Sequence, residues 1–276
     1  MSEHRGQGAR GASPVSASAE TSVALLVDIG NTRVKWARLV RGRLTRQHAA
    51  AHVGWRLQDF ARRVIGAPHG LTRIVVVSVA SSRTNDLLAA AACQRAGIMP
   101  EFFASARRAG GVTTLYGEPW RLGADRLAAA IGGHRLAGRR AVCVIAVGTA
   151  LTLDLVDARG RHRGGAIVPA PGLMKDSLLT QTNGIRRRAR GGTSRGGFFA
   201  RSTRAAIEQG SRYAAAAVID RAVAEARRVL GRAPLVLLTG GGAPALRPLI
   251  QSTHTMVPDL VLRGLAVLAS TPGKRA

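Results

Sequence analysis

The chain is short of nearly everything that would mark a disulfide scaffold, a membrane span or a base-stacking surface. Its two cysteines, Cys93 and Cys143, lie far apart with no C-x-x-C partner. That excludes a disulfide framework, argues against a zinc site and leads us to expect a reducing, cytoplasmic setting. No apolar run approaches the roughly 18 residues a bilayer span needs, so no membrane partner is expected. Aromatic residues make up only 4% of the sequence, which is thin for stacking on nucleic-acid bases. Lysine is scarcest of the charged types: only Lys35, Lys175 and Lys274 among 41 basic residues, the other 38 being arginine. Acidic residues number 15, which leaves a net charge of +26.

That charge is spread along the chain and densest at Arg186, Arg187, Arg188, Arg190, Arg195, Arg201 and Arg204. Such a surface can hold nucleic acid or steer anionic substrates. No helix-turn-helix, RNP or zinc-finger pattern accompanies it, so we read it as arginine on solvated faces and expect no nucleic-acid partner. Plentiful residues point elsewhere: 33 glycines and 46% hydrophobic content fit a turn-rich α/β protein. A chain of 276 residues can bury one large core or two modest ones. Residues 1–21 are Gly, Ala, Ser and Arg without periodicity or an apolar centre, and read as a disordered tail rather than a secretion signal.

After the tail, Val23–Val27 and Val34–Leu39 read as strands joined by a Gly30-Asn31-Thr32 turn. Ile74–Val79 is a third strand, and Leu87–Arg95 a helix closed by Gly97. Arg107–Gly117 reads as a loop, and Ala124–Arg135 has helical spacing. A second unit then repeats the order. Val142–Val147 and Leu151–Val156 form a hairpin around Gly148-Thr149, followed by a charged turn from Asp157 to Gly165 and a short run at Ala166–Val168. Leu173–Thr180 and Tyr213–Leu230 read as helices, Gly191–Gly197 as a loop, Leu235–Leu238 as a strand, and Asp259–Leu268 as a closing helix. The expected organisation is a tail (1–21), an N-terminal lobe (22–137) and a C-terminal lobe (138–276).

Four constellations can carry chemistry. Asp28 ends a buried run beside a Gly turn, where a carboxylate can orient hydrated Mg²⁺ while turn N–H groups take phosphate oxygens. Lys35, a rare lysine just beyond, suits a phosphate as a point charge. Leu122-Gly123-Ala124-Asp125-Arg126 puts an aspartate in the first turn of a helix. There it can serve the helix dipole or accept a proton from a hydroxyl, and Arg126 can hold an anionic group. Gly148-Thr149 matches the first turn but has Ala146 where that turn has Asp28. Thr239-Gly240-Gly241-Gly242 allows close approach of backbone to an adenosine.

Taken in order, D-I-G-N-T, Y-G-E-P-W-R-L-G-A-D-R, V-G-T-A-L-T-L-D, G-G-A-I-V-P and L-T-G-G-G-A-P-A-L resemble the type III pantothenate kinases, over about Ala24 to Leu268. That family belongs to the sugar kinase, Hsp70 and actin superfamily. The resemblance implies an α/β fold of two actin-like (ribonuclease H-like) lobes, a homodimer, and ATP-dependent phosphorylation of pantothenate at the first step of coenzyme A synthesis. It implies that Asp28, Ile29, Gly30, Asn31, Thr32, Arg33, Val34 and Lys35 hold the ATP phosphates, with Asp28 on Mg²⁺ through water, and that Gly148 and Thr149 contact ATP. Asp125 would be the base; Tyr116, Gly123, Ala124, Asp125 and Arg126 would line the pantothenate pocket, and Thr182 would reach pantothenate across the dimer interface. Many relatives carry an aspartate at the position of Ala146 that binds K⁺ or NH₄⁺, so monovalent-cation dependence is expected to be weak or lost. Ala170, Ser202, Arg263 and the Asn183-Gly184-Ile185-Arg186 run also depart from the family pattern. Two other readings stay open: a catalytically weak relative acting as a basic accessory protein, and a superfamily kinase for another small hydroxylated substrate.

Overall fold

The computed structural model describes residues 22–191 and 197–270. The expected tail, Arg195 and most of the Gly191–Gly197 loop lie outside the described residues. The first half contains β1 (Val23–Ile29), β2 (Arg33–Val40), β3 (Arg43–Leu44), β4 (His48–Ala51), α1 (Leu57–Phe60, running on as a π turn), β5 (Leu71–Ser78), α2 (Ser82–Ala96) and β6 (Glu101–Phe102). Next come β7 (Arg108–Ala109), β8 (Val112–Thr114), α3 (Ala124–Ala137), β9 (Val142–Val147), β10 (Ala150–Val156) and β11 (Arg161–Pro169). The remainder is α4 (Pro171–Gln181), α5 (Asn183–Arg188), α6 (Thr203–Leu230), β12 (Leu235–Thr239), α7 (Ala243–Leu246), β13 (Thr255–Met256) and α8 (Leu260–Ser270). Among the described residues no helix is long and apolar enough to cross a membrane.

Two mixed sheets organise the chain. The first runs β3-β2-β1-β5-β6 with β4 also paired to β2, and the second runs β13-β12-β9-β10-β11-β8-β7. In each, the most buried strand is central: β1 (VALLVDI) and β9 (VCVIAV) are apolar on both faces because helices or the other lobe cover both. Both are followed by an antiparallel hairpin partner and flanked on the other side by a parallel strand, β5 or β12. Helix ends follow the sequence signals. The Ser81 hydroxyl accepts from the Thr84 N–H at the start of α2, and Gly97 and Gly231 adopt left-handed conformations past α2 and α6.

Two expectations are corrected. Arg107–Gly117 is no loop but carries the β7–β8 hairpin, and β8 pairs in parallel with β11. The charged turn ends at Gly160: Arg161–Pro169 is one long strand whose alternating outward arginines masked the pattern. Strands β7 and β8 precede α3 in the chain and join the second sheet. Gly138 is the cap of α3.

Helix α3 lies between the lobes and crosses α8 almost in backbone contact. A Cβ on Gly264 would sit 1.8 Å from the Ala128 carbonyl oxygen, and one on Gly132 2.4 Å from that of Leu260. Helix α8 in turn buries Leu262 and Leu265 against Ala24, Leu26, Val75 and Val77 of the first sheet. The N-terminus of α3 is thereby fixed with respect to both sheets.

Candidate active site

Asp28 is the last-but-one residue of β1 and directly opposes Lys35 on β2, whose Nζ donates to Asp28 Oδ2 at 3.2 Å. Only 6% of Asp28 is exposed. Burial raises its pKa, Lys35 opposes that shift, and the negative charge of Asp125 adds to it. Asp28 lies at a strand end and Asp125 at a helix start nearly a hundred residues later, and the charge of Asp125 still reaches Asp28. Ile29 and Val34 are core residues, while Gly30, Asn31, Thr32 and Arg33 form the accessible turn, closed by a Gly30 N–H to Arg33 carbonyl bond of 2.9 Å.

Asp125 occupies the first turn of α3, where the Arg126 N–H donates to its Oδ1 at 2.8 Å. Gly123 is needed for this arrangement, since a Cβ there would lie 2.7 Å from Asp125 Oδ1. Burial raises the Asp125 pKa and outweighs the Arg126 N–H and guanidinium, which lower it; Asp154 adds a further rise. A partly desolvated carboxylate with raised basicity is suited to take a proton.

Arg126 is not an open anion receptor. Its Nε and Nη2 donate to both oxygens of Asp154 at 3.0 and 2.7 Å, and the side chains of this pair are only 6% and 2% exposed. The same Asp154 Oδ1 takes a second hydrogen bond from buried His162 Nε2 at 2.7 Å. The remaining Arg126 Nη1 donates to the Tyr116 hydroxyl at 3.3 Å, and the Tyr116 ring leans on His162 with centroids 5.8 Å apart. Gly165 leaves room for the pair: a Cβ there would fall 2.5 Å from Asp154 Oδ1 and 2.6 Å from Arg126 Nη2. Arg107 reaches the carbonyls of Thr114, Tyr116 and Gly117, fixing the loop that carries Tyr116.

In the second hairpin, Gly148 and Thr149 are exposed at the turn and Ala146 is half-buried. The glycine run after β12 folds onto this turn: the Gly242 N–H donates to the Val147 carbonyl at 3.0 Å, and a Cβ on Gly240 would meet that oxygen at 2.3 Å. Thr182, the C-cap of α4, is half-buried and donates to the Leu178 carbonyl at 2.7 Å. Among the described residues no hydrogen bond joins Thr182 to Tyr116, Asp125 or Arg126.

Comparison with known proteins identifies the family. A family model described as "Type III pantothenate kinase" matches residues 24–225. The chain belongs to the type III pantothenate kinase family. A type III pantothenate kinase of Nitrosococcus oceani is 33% identical over 257 residues, covering 91% of this chain and 95% of the relative. One from Janthinobacterium sp. (strain Marseille) is 38% identical over 258 residues, covering 89% and 96%. Among solved structures, a conserved putative Baf family transcriptional activator from Campylobacter jejuni superposes with a TM-score of 0.56 at 18% identity, over 90% of this chain and 98% of the other. A putative 2-dehydro-3-deoxygalactonokinase from Sinorhizobium meliloti gives 0.54 at 14%, over 91% and 100%. These structural matches establish the actin-like two-lobed α/β fold. Sequence reading missed Asp154 and His162, which hold Arg126 in the candidate site of this type III pantothenate kinase homologue. The signal available was an aspartate in the apolar run Leu151–Val156, a residue a buried strand keeps only when it is paired.

Proposed function

We propose that the chain transfers the γ-phosphoryl group of ATP to pantothenate, giving 4'-phosphopantothenate at the first step of coenzyme A biosynthesis. The observation that carries the mechanism is the placement of two carboxylates at the starts and ends of elements: Asp28 ends β1 at the glycine turn and pairs with Lys35, and Asp125 opens α3, which packs on α8 and through it is held to the same sheet. The Gly30–Arg33 turn and the Gly148-Thr149 turn offer backbone N–H groups and a hydroxyl to the phosphates. Asp28 would hold a hydrated Mg²⁺, since a buried carboxylate at a strand end beside an accessible turn suits a divalent cation bound through water. When bound, the ion neutralises charge on the β- and γ-phosphates. Asp125 takes the proton from the pantothenate hydroxyl as its oxygen bonds to the γ-phosphorus and the bond to the ADP oxygen breaks. Arg126, committed to Asp154, acts on pantothenate through its Nη1 and through Tyr116, whose hydroxyl accepts from Arg126 and so turns its own hydrogen outward.

A homodimer completes the site in this reading. Helices α4 and α5 bury no residue within the chain, yet α4 carries Leu173 and Leu178 and neighbouring β11 exposes Ile167 at 60%. A second copy covering this face would bring Thr182 to the pantothenate site of the other protomer. Both cysteines are free, which suits a reducing cytoplasm. The deciding experiment measures ADP release from ATP with pantothenate and with other small hydroxy acids or sugars, beside a salt-dependent DNA-binding titration. Turnover selective for pantothenate without tight DNA binding is expected. Turnover on another acceptor, or DNA binding without turnover, would overturn the assignment.

A further inference from the structure

The Gly30–Arg33 turn is gripped from behind by a single residue outside it. His52 follows β4 and is 6% exposed. Its Nε2 lies 2.7 Å from the Gly30 carbonyl oxygen, and its backbone N–H donates to the Thr32 carbonyl at 3.2 Å. One residue thus engages two of the turn's carbonyls. The imidazole is itself fenced in: its ring is tilted against Phe60 with centroids 6.5 Å apart, Trp55 meets Phe60 edge-on, and the Trp55 N–H donates back to the His52 carbonyl at 3.0 Å. His48, four residues earlier, turns away and stacks on Trp36.

A carbonyl oxygen only accepts, so Nε2 must carry the proton. In a planar trans peptide the C=O of one residue and the N–H of the next point in opposite directions. Pinning the Gly30 carbonyl toward His52 therefore aims the N–H of Asn31 the other way, out of the turn, while the Thr32 carbonyl anchors the far side of the turn to β4. Glycine at position 30 has no Cβ to hold the turn in place by packing. The direction of the Asn31 N–H depends instead on what holds the Gly30 carbonyl. We propose that His52 is a positioning residue for phosphate binding, orienting the Asn31 N–H toward the ATP phosphates. This rests on the reading of the turn as a phosphate-holding element.

The test compares His52→Leu, which keeps apolar volume beside Phe60 but removes the donor, with His52→Gln, whose side-chain amide can reach the Gly30 carbonyl. Dissociation constants are measured for ADP and for adenosine, with kcat and KM for ATP and pantothenate. His52→Leu is expected to weaken ADP binding and raise KM for ATP about tenfold, the scale of one buried hydrogen bond. Adenosine affinity and KM for pantothenate should stay within about twofold, and His52→Gln should recover most of the loss. In the unsubstituted protein, nitrogen NMR should find the Nε2-protonated tautomer; this readout decides the matter even if the Leu variant does not fold. An Nδ1-protonated ring, unchanged ADP affinity in the Leu variant, or equal losses for ADP, adenosine and pantothenate would each overturn the proposal. Gly30→Ala, whose methyl would crowd the Arg33 carbonyl at 3.3 Å, separates the two levels. If it weakens ADP binding while His52→Leu does not, only the role of His52 fails; if it too has no effect, the turn does not hold phosphate.

Discussion

The Arg126–Asp154 pair gives the sharpest quantitative test. Both side chains are nearly sealed from water, and burial alone would pull the Arg126 pKa down. The Asp154 carboxylate more than offsets this through hydrogen bonds and charge, so the arginine stays protonated. Removing one partner leaves an uncompensated buried ion, which costs about 3–5 kcal/mol. At ~2–4 °C per kcal/mol for a chain of this size class, Asp154→Leu or Arg126→Met should each lower Tm by on the order of 10 °C. Replacing both by apolar residues removes two charges and their desolvation together, and such swaps are often neutral. The double variant Arg126→Met/Asp154→Leu should therefore melt well above either single variant while still losing pantothenate affinity. Thermal unfolding of all four proteins, with KM for pantothenate where turnover survives, makes a complete double-mutant cycle. Singles that lose less than about 1 kcal/mol, or a double whose loss equals the sum of the singles, would refute the claim that these groups are energetically one unit.

Further outcomes are as definite. Asp125→Asn should keep the fold and ATP binding but lower kcat by ~10²–10⁴, read by ADP release; near-normal turnover would remove Asp125 as the base. Because burial raises the Asp125 pKa above 3.8, the acid limb of kcat/KM should fall at a higher pH than a solvated aspartate would give. Stability takes the opposite sign: a raised carboxyl pKa in the folded state favours the native protein fully below 3.8, and that contribution is lost as pH rises through the folded value. Mg²⁺ with ADP should accordingly raise Tm more at neutral pH than near pH 4, and equal shifts at both would contradict a carboxylate site for the cation. With alanine at position 146, kcat should agree within about twofold in Na⁺, K⁺ or NH₄⁺; a strong K⁺ requirement would mean that other ligands form the cation site. Gly264→Ala should cost at least the 1–3 kcal/mol of ordinary overpacking, since its methyl meets the Ala128 backbone. It should also depress kcat/KM because α3 carries Asp125, whereas an unchanged melting curve would show that the helices tolerate separation.

The hairpins were legible because their signals are local. Val23–Ile29 and Val142–Val147 are continuous apolar strands, and each stops at a glycine turn that a second strand follows. Asp125 was legible as the acid of a first helical turn after Gly123. What could not be read was non-local. Strand β8 is three residues long and owes its existence to pairing with β11, nearly fifty positions later. Alternation in β11 was hidden because Arg161 and Arg163 face outward around the buried His162, which looks like a polar turn until Asp154 is placed beside it. The commitment of Arg126 to Asp154 likewise depends on α3 packing against β10, and that of His52 to Gly30 on β4 and β1 lying on either side of β2.

The seat of α8 on the first sheet also bears on the order in which the protein is made. Leu26, Val75 and Val77 emerge from the ribosome long before the Leu262 and Leu265 side chains that cover them. Until α8 is made, that face of β1 and β5 lacks its helix cover, however well the hairpin has formed. The first lobe thus matures only after α8 has joined it. Nascent chains stalled before residue 260 should expose this face to hydrophobic dyes or chaperones, and chains extended past residue 270 should not.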